Sequence, residues 1–184
     1  MKTKLIGITG KARAGKDTLA TYFLERGWQR IAFADHLKKV TALIAQEPEA
    51  LYFDEVTKEE RSPSLRMPRR RALQNVGKGM RDALGENIWV NIALNKWKLS
   101  GHVPAVTTDV RYDNEAQIIK DQGGIIIQVL RPDNVGLTGE AAQHESERGV
   151  ATNLLDFVVV NDGDINELLG RAEYIHNAVW GNKK

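Results

Sequence analysis

The sequence predicts an α/β fold built on a largely parallel sheet. Three observations carry this. Strand-type and helix-type patterns alternate along the 184 residues, the arrangement that strand–helix–strand units produce. One segment, Ile125–Leu130, is an almost purely apolar run, as expected of a strand covered on both faces. The first strand, Leu5–Thr9, opens directly into a glycine-framed loop and then a helix, and α/β folds bind ligands at such strand ends.

The elements follow in order. After Leu5–Thr9 comes a helix over 17–26, with Leu19, Phe23 and Leu24 at helical spacing and Gly27 where a helix stops. Residues 30–34 read as a second strand and 35–45 as a helix. Residues 46–68 hold Pro48, Pro63 and Pro68 among many charges, which predicts an exposed excursion rather than core. Helical spacing returns over 69–83, with Leu73, Val76, Met80 and Leu84 on one side, and continues over 87–99 with Ile88, Ile92 and Trp97. Residues 104–108 read as a short strand. The next helix, 114–121, is stopped by Gly123-Gly124. After Ile125–Leu130, residues 132–153 are polar and weakly periodic. A last strand over 156–160 precedes a last helix over 165–179. No internal repeat, heptad array or low-complexity tract is present.

Composition excludes several function classes. There is no cysteine, so disulfides, thiol nucleophiles and Cys-based zinc sites are ruled out, and a cytoplasmic location is expected. A net charge of +2 does not argue for a nucleic-acid binder. The apolar runs are too short to span a bilayer, and the N-terminus lacks the pattern of a signal peptide. A membrane partner is not expected.

The chemistry concentrates at residues 10–18, Gly-Lys-Ala-Arg-Ala-Gly-Lys-Asp-Thr. Gly10 and Gly15 let the backbone turn so that successive N–H groups face a polyphosphate. Lys16 adds a mobile point charge, and the helix starting there offers its positive end to the same anion. A nucleoside triphosphate is the implied ligand. The residue after the lysine is ordinarily Ser or Thr, whose hydroxyl holds Mg²⁺. Here it is Asp17, followed by Thr18. Either could organise the metal.

Further along, Arg66, Arg69, Arg70 and Arg71 precede Gln74 and Arg81. Arg70, Gln74 and Arg81 share a helix face by spacing, and a guanidinium fork suits a phosphate monoester. The rival reading is a solvated basic face or a nucleic-acid patch; a phosphate loop in the same chain favours a second phosphate site. Asp109 and Arg111 follow a strand end, where they could meet metal, substrate or a transferring phosphate, or simply cap and pair. Asn161-Asp162-Gly163 also follows a strand and suits a turn before the last helix.

Together these segments resemble one family, the bacteriophage deoxynucleoside monophosphate kinases of the P-loop kinase superfamily. The resemblance rests on residues 10–18, on Phe33-Ala34-Asp35-His36-Leu37-Lys38, and on Arg70-Arg71-Ala72-Leu73-Gln74-Asn75-Val76-Gly77. It continues through Asp109-Val110-Arg111-Tyr112-Asp113-Asn114-Glu115, Val129-Leu130-Arg131-Pro132, His144-Glu145-Ser146-Glu147 and Asn161-Asp162-Gly163. The resemblance implies a P-loop kinase fold, a three-layer α/β/α arrangement with a largely parallel five-stranded sheet. Residues 1–184 would form one domain, with a helical monophosphate-binding insertion at about 46–100 and a lid at about 132–153. It implies transfer of the ATP γ-phosphate to a deoxynucleoside monophosphate, with Mg²⁺.

By resemblance, Gly10, Arg13, Ala14, Gly15, Lys16, Asp17 and Thr18 would hold the ATP phosphates, and Asn161, Asp162 and Gly163 would border the adenine. Asp35, Lys38, Arg70, Gln74, Arg81, Glu115 and His144 would serve the acceptor. Lys16, Arg131, Asp109 and Arg111 would attend the reaction. A homodimer is compatible with the sequence but not required by it. The alternatives are a kinase for another phosphorylated acceptor, such as phosphomevalonate or dephospho-coenzyme A, and a non-catalytic ATP-binding module contacting nucleic acid.

Overall fold

The computed structural model describes residues 3–132 and 149–181. Five strands form one sheet: β1 Leu5–Thr9, β2 Gln29–Ile31, β3 Ala105–Thr107, β4 Ile125–Leu130 and β5 Phe157–Val160. Their order is β2-β3-β1-β4-β5, and every neighbouring pair is parallel. The helices are α1 Lys16–Leu24, α2 Phe33–Ala45, α3 Ala50–Phe53, α4 Arg69–Leu84, α5 Ile88–Leu99, α6 Asp113–Asp121 and α7 Ile165–Trp180.

The chain divides into two compact units. A sheet unit comprises the residues up to Ile31 and from Trp97 onward; a helical unit comprises Ala32–Lys96. In the sheet unit, strand alternation sorts side chains to two faces. Ile6 and Ile8 of β1 and Ile125, Ile127 and Val129 of β4 join a core with Leu19 and Phe23 of α1 and Leu168, Ala172 and Ile175 of α7. Gly7 lies on the opposite face, beside Ile119 of α6 and Ile126. Helices thus cover both faces, giving the three layers. At one edge, β5 buries Val159 and leaves Val158 and Val160 exposed. Among the described residues, no helix is long and apolar enough to cross a membrane.

The helical unit has its own centre. Tyr52 of α3 is fully buried with Ala42 and Ala45 of α2, and Leu51, Leu65 and Leu73 pack around them. A polar hub fastens this core. Glu47 accepts hydrogen bonds from the Ser62 hydroxyl at 2.6 Å, the Arg69 Nε at 2.7 Å and the Tyr52 hydroxyl at 3.2 Å.

Several expectations need correction. The second strand ends at Ile31, because Phe33 is buried as the first residue of α2 and takes the next residues into the helix. Segment 46–68 is not merely an exposed excursion: Tyr52, Lys58 and Ser62 are buried, because paired charges and the Tyr52 ring close a small core. On α4 the buried residues are Arg69, Ala72 and Gly77, while Leu84 is exposed. Small residues let α4 lie close to Leu37 of α2, which a search for large apolar residues overlooks.

Candidate functional site

The glycine loop lies in the sheet unit between β1 and α1. Gly10 has φ +144°, and a Cβ there would collide with the Val129 carbonyl of β4. Gly15 has φ +101°, and a Cβ there would meet the Asn161 side chain. Both positions need glycine for backbone and for space. Arg13 also sits at positive φ, 62°. The Ala14 N–H donates to the Lys11 carbonyl at 3.2 Å, closing the loop, and the Leu19 N–H donates to the Gly15 carbonyl at 2.9 Å, starting α1.

Lys16 folds back into this loop. Its Nζ donates to the carbonyls of Gly10 at 2.8 Å and Lys11 at 2.9 Å. The ammonium is held where an anion seated on the loop would meet it. Asn161, just past β5, donates from Nδ2 to the Ala14 carbonyl at 2.8 Å, tying the far strand end to the loop. Arg13, Gly15, Lys16, Asp17, Thr18, Arg131, Asn161 and Gly163 line a cleft of about 770 Å³, completed by residues that begin α7. Loop, lysine, Arg131 and Asn161 therefore converge at the carboxyl ends of β1, β4 and β5.

On the other flank of β1, the Thr108 hydroxyl donates to Asp17 Oδ1 at 2.6 Å. The Thr107 hydroxyl donates to Asp109 Oδ1. Asp109 and Arg111 are not among the residues lining the cleft. Glu115, named for the acceptor, turns inward instead. It is buried and accepts from the backbone N–H groups of Arg111 at 2.8 Å and Tyr112 at 3.2 Å, capping α6 as an acid near a helix N-terminus does. Asp162 is likewise drawn away from the cleft. Arg171 of α7 donates to its Oδ1 at 2.9 Å, and this bond holds its carboxyl below the usual range. His144 and most of the expected lid, 132–153, lie outside the described residues.

In the helical unit, the arginine run divides into two roles. Arg69 is sequestered: Nε donates to Glu47, and Nη1 donates to the Thr57 carbonyl at 3.0 Å and to Glu60 at 3.3 Å. Burial alone would raise the Glu47 pKa, but the bonds from Ser62, Arg69 and Tyr52 hold it below the usual range. Arg70 donates from Nε to Glu59 and from Nη2 to Glu55 at 3.1 Å. Asp35 and Lys38 pair across one turn of α2 at 3.8 Å, and the Lys38 ammonium lies 4.6 Å from the Phe53 ring centre. Gln74 and Arg81 are half-buried on α4.

Sequence reasoning placed the start of α7 correctly but missed that Asp164, Ile165 and Asn166 line the cleft, and it missed the Thr108 bond to Asp17. Thr108 could not be paired with Asp17 before the order of strands was known. The α7 start carried a signal: Asp164, three residues before Glu167, caps the helix by accepting the Glu167 N–H at 2.9 Å.

A glycine loop closed by its own lysine, at the carboxyl ends of a parallel sheet, defines a P-loop type of nucleotide-binding fold, and the similar solved structures include a kinase of that type. Dephospho-CoA kinase from Campylobacter jejuni superposes with a TM-score of 0.54 at 12% identity, covering 95% of this chain and 96% of that one. TT1252 from Thermus thermophilus gives 0.53 at 17%, covering 98% and 100%. At these identities the likeness is one of fold.

The chain belongs to the deoxynucleotide monophosphate kinase family, whose family model matches residues 45–171. A protein of Acanthamoeba polyphaga mimivirus described as a "putative deoxynucleotide monophosphate kinase" is 32% identical, covering 89% of this chain and 91% of the viral one. The protein is thus a kinase of nucleotide metabolism.

Proposed function

We propose that the protein transfers the γ-phosphoryl group of ATP to a deoxynucleoside monophosphate, giving the diphosphate and ADP. An oxygen of the acceptor's phosphate forms the new bond to the γ-phosphorus as the bond to the β-bridging oxygen breaks, and the electron pair leaves on ADP. The acceptor oxygen is already anionic, so no general base is required. The protein's task is alignment and positive charge around the migrating group.

The observation that carries this reading is the pair of hydrogen bonds placing the Lys16 ammonium inside its own glycine loop. With ATP seated there, Lys16 exchanges those carbonyls for phosphate oxygens, and the α1 N-terminus faces the same charge. Arg131 approaches the cleft from the end of β4, and Asn161 and Gly163 border the adenine. Asp35, Lys38, Arg70, Gln74 and Arg81 serve the acceptor.

Mg²⁺ suits the residues present. Asp17, Thr18 and Asp109 offer only hard oxygen donors, and Mg²⁺ in such sites takes one or two protein oxygens, with phosphate and water supplying the rest. Asp17 and Thr18 would hold it, with Asp109 outside them. Bound there, it would supply positive charge to offset that of the phosphates.

The test is ADP release across the four common deoxynucleoside monophosphates, with dephospho-coenzyme A, phosphomevalonate and DNA as controls. Turnover with at least one deoxynucleotide and none with the controls is expected. Turnover confined to a control acceptor would overturn the assignment.

A further inference from the structure

Arg69 and Arg70 are adjacent, yet their surroundings differ in a way that bears on acceptor binding. Arg69 is 6% exposed and its partner Glu47 is 9% exposed, so that pair is a fixed part of the fold. Arg70 is 29% exposed, while its partners Glu55 and Glu59 are 76% and 62% exposed. Its guanidinium is anchored from the rigid start of α4, but its counter-ions come from solvated side chains of segment 46–68. Exposed ion pairs of this kind are weak and exchange readily.

The pairing also has a particular shape. Nε and Nη2 form the side-on edge of a guanidinium, the edge that takes two oxygens of one phosphate. Here each position is filled by a different carboxylate. Two carboxylates carry the same total charge as a phosphate monoester dianion. They differ from it in being two separate, flexible side chains, each losing rotamer freedom on pairing. A phosphate presents both oxygens from one atom. Glu55 would not be left without a partner by the exchange, because Lys58 donates to its other oxygen.

We propose that Glu55 and Glu59 are placeholders for the acceptor's phosphate on Arg70 and that they set acceptor affinity by competing with it. This rests on the reading of α4 as the acceptor face. Charge on segment 46–68 then tunes how tightly a monophosphate is held, without touching the ATP loop. The exchange favours a doubly charged terminal phosphate over a singly charged diester, because only the former replaces both carboxylates charge for charge.

The test is equilibrium binding, by calorimetry, of each of the four deoxynucleoside monophosphates and of ATP. The variants are Glu55→Gln with Glu59→Gln, Arg70→Ala, the triple combination, and Asp82→Asn. The last removes a carboxylate that pairs with Lys78 elsewhere on α4. The double glutamine variant is expected to bind a monophosphate about five- to tenfold tighter, the scale of two released exposed pairs, with ATP affinity unchanged. The gain should vanish when Arg70 is Ala, and Asp82→Asn should show no matching gain. Unchanged or weaker monophosphate binding in the double variant overturns the proposal. So does a gain that persists without Arg70, or an equal gain in Asp82→Asn, since either marks a general field effect. If the wild-type protein binds a monophosphate and Arg70→Ala does not weaken it, the proposal fails while the kinase reading stands. If the wild-type protein binds ATP but none of the monophosphates, both fail.

Discussion

Lys16 shows how one side chain carries the nucleotide site. Its ammonium is held at the loop by the Gly10 and Lys11 carbonyls, and in the proposed reaction it would trade those bonds for phosphate oxygens over a short distance. Lys16→Ala is expected to lower turnover by about a hundredfold or more, as when one preorganised donor is lost; steady-state kinetics on variant whose circular dichroism matches wild type checks this. Asp17 makes a separable contribution. Asp17→Asn should raise the Mg²⁺ concentration needed for half-maximal activity by roughly tenfold while metal-free ATP affinity holds, because Mg²⁺ prefers charged oxygens. Thr108→Val, which removes the donor to Asp17 Oδ1, should move the Mg²⁺ requirement the same way but less. Activity titrated against Mg²⁺, beside ATP binding in chelator, reads both. An unmoved requirement in Asp17→Asn transfers the metal role to Thr18 or Asp109. The loop residues were legible because glycine, lysine and spacing are local signals. Thr108 was not, since its partner lies 91 residues away in sequence and only strand order joins them. The present partners of Glu115 and Asp162 were not legible either, because a carboxylate beside a motif looks the same whether it meets a ligand, caps a helix as Glu115 does, or pairs with an arginine as Asp162 does.

At the scale of elements, the start of α4 depends on a buried ion pair. Glu47→Ala would leave the Arg69 guanidinium enclosed without its main counter-charge, at a cost of about 2–4 kcal/mol. Chemical denaturation should show the loss, and a variant within 0.5 kcal/mol of wild type would mean that the hub is not structural. The same pair gives an acid limb to stability. The folded pKa of Glu47 lies below its ordinary 4.5. Its contribution is therefore complete above about pH 4.5 and declines as pH falls from there through the folded value. Glu47→Gln should flatten that limb. Strand and helix identities were readable from periodicity, but the buried centre of 46–68 was not. Three prolines and a dense run of charge conceal one tyrosine, one serine and one glutamate that meet only after the chain folds back. On α4 the spacing found Leu73, which packs on the Tyr52 core, but not Ala72 and Gly77, which carry no apolar bulk to announce them.

Across the whole molecule, stability near neutral pH is linked to His176 of α7. Its ring lies among Tyr22, Phe23, Trp28 and Trp180. Burial, with Lys4 and Arg26 nearby, lowers its pKa below the ordinary 6.5. The unfolded chain then binds the proton more readily than the fold does. Stability from this group is complete above about pH 6.5 and is lost as pH falls through the folded value. Thermal melts between pH 5 and pH 7.5 should show a falling melting temperature on the acid side, and His176→Phe should reduce that slope. An identical slope in both proteins would remove His176 from the account.

The topology has a consequence for how such a chain diversifies. Strands β2 and β3 are neighbours, locked in register from Gln29–Ala105 to Ile31–Thr107, and the whole helical unit is the one uninterrupted crossover between them. Doubling a flexible turn within such a connection adds only about 0.6 kcal/mol of closure entropy. Residues can therefore be gained or lost in its exposed turns, away from the Tyr52 and Glu47 hub, while the five strands keep their pairing. Length change is expected to collect in the exposed turns of that crossover, while the loop between β1 and α1, framed by Gly10 and Gly15 against Val129 and Asn161, keeps its geometry.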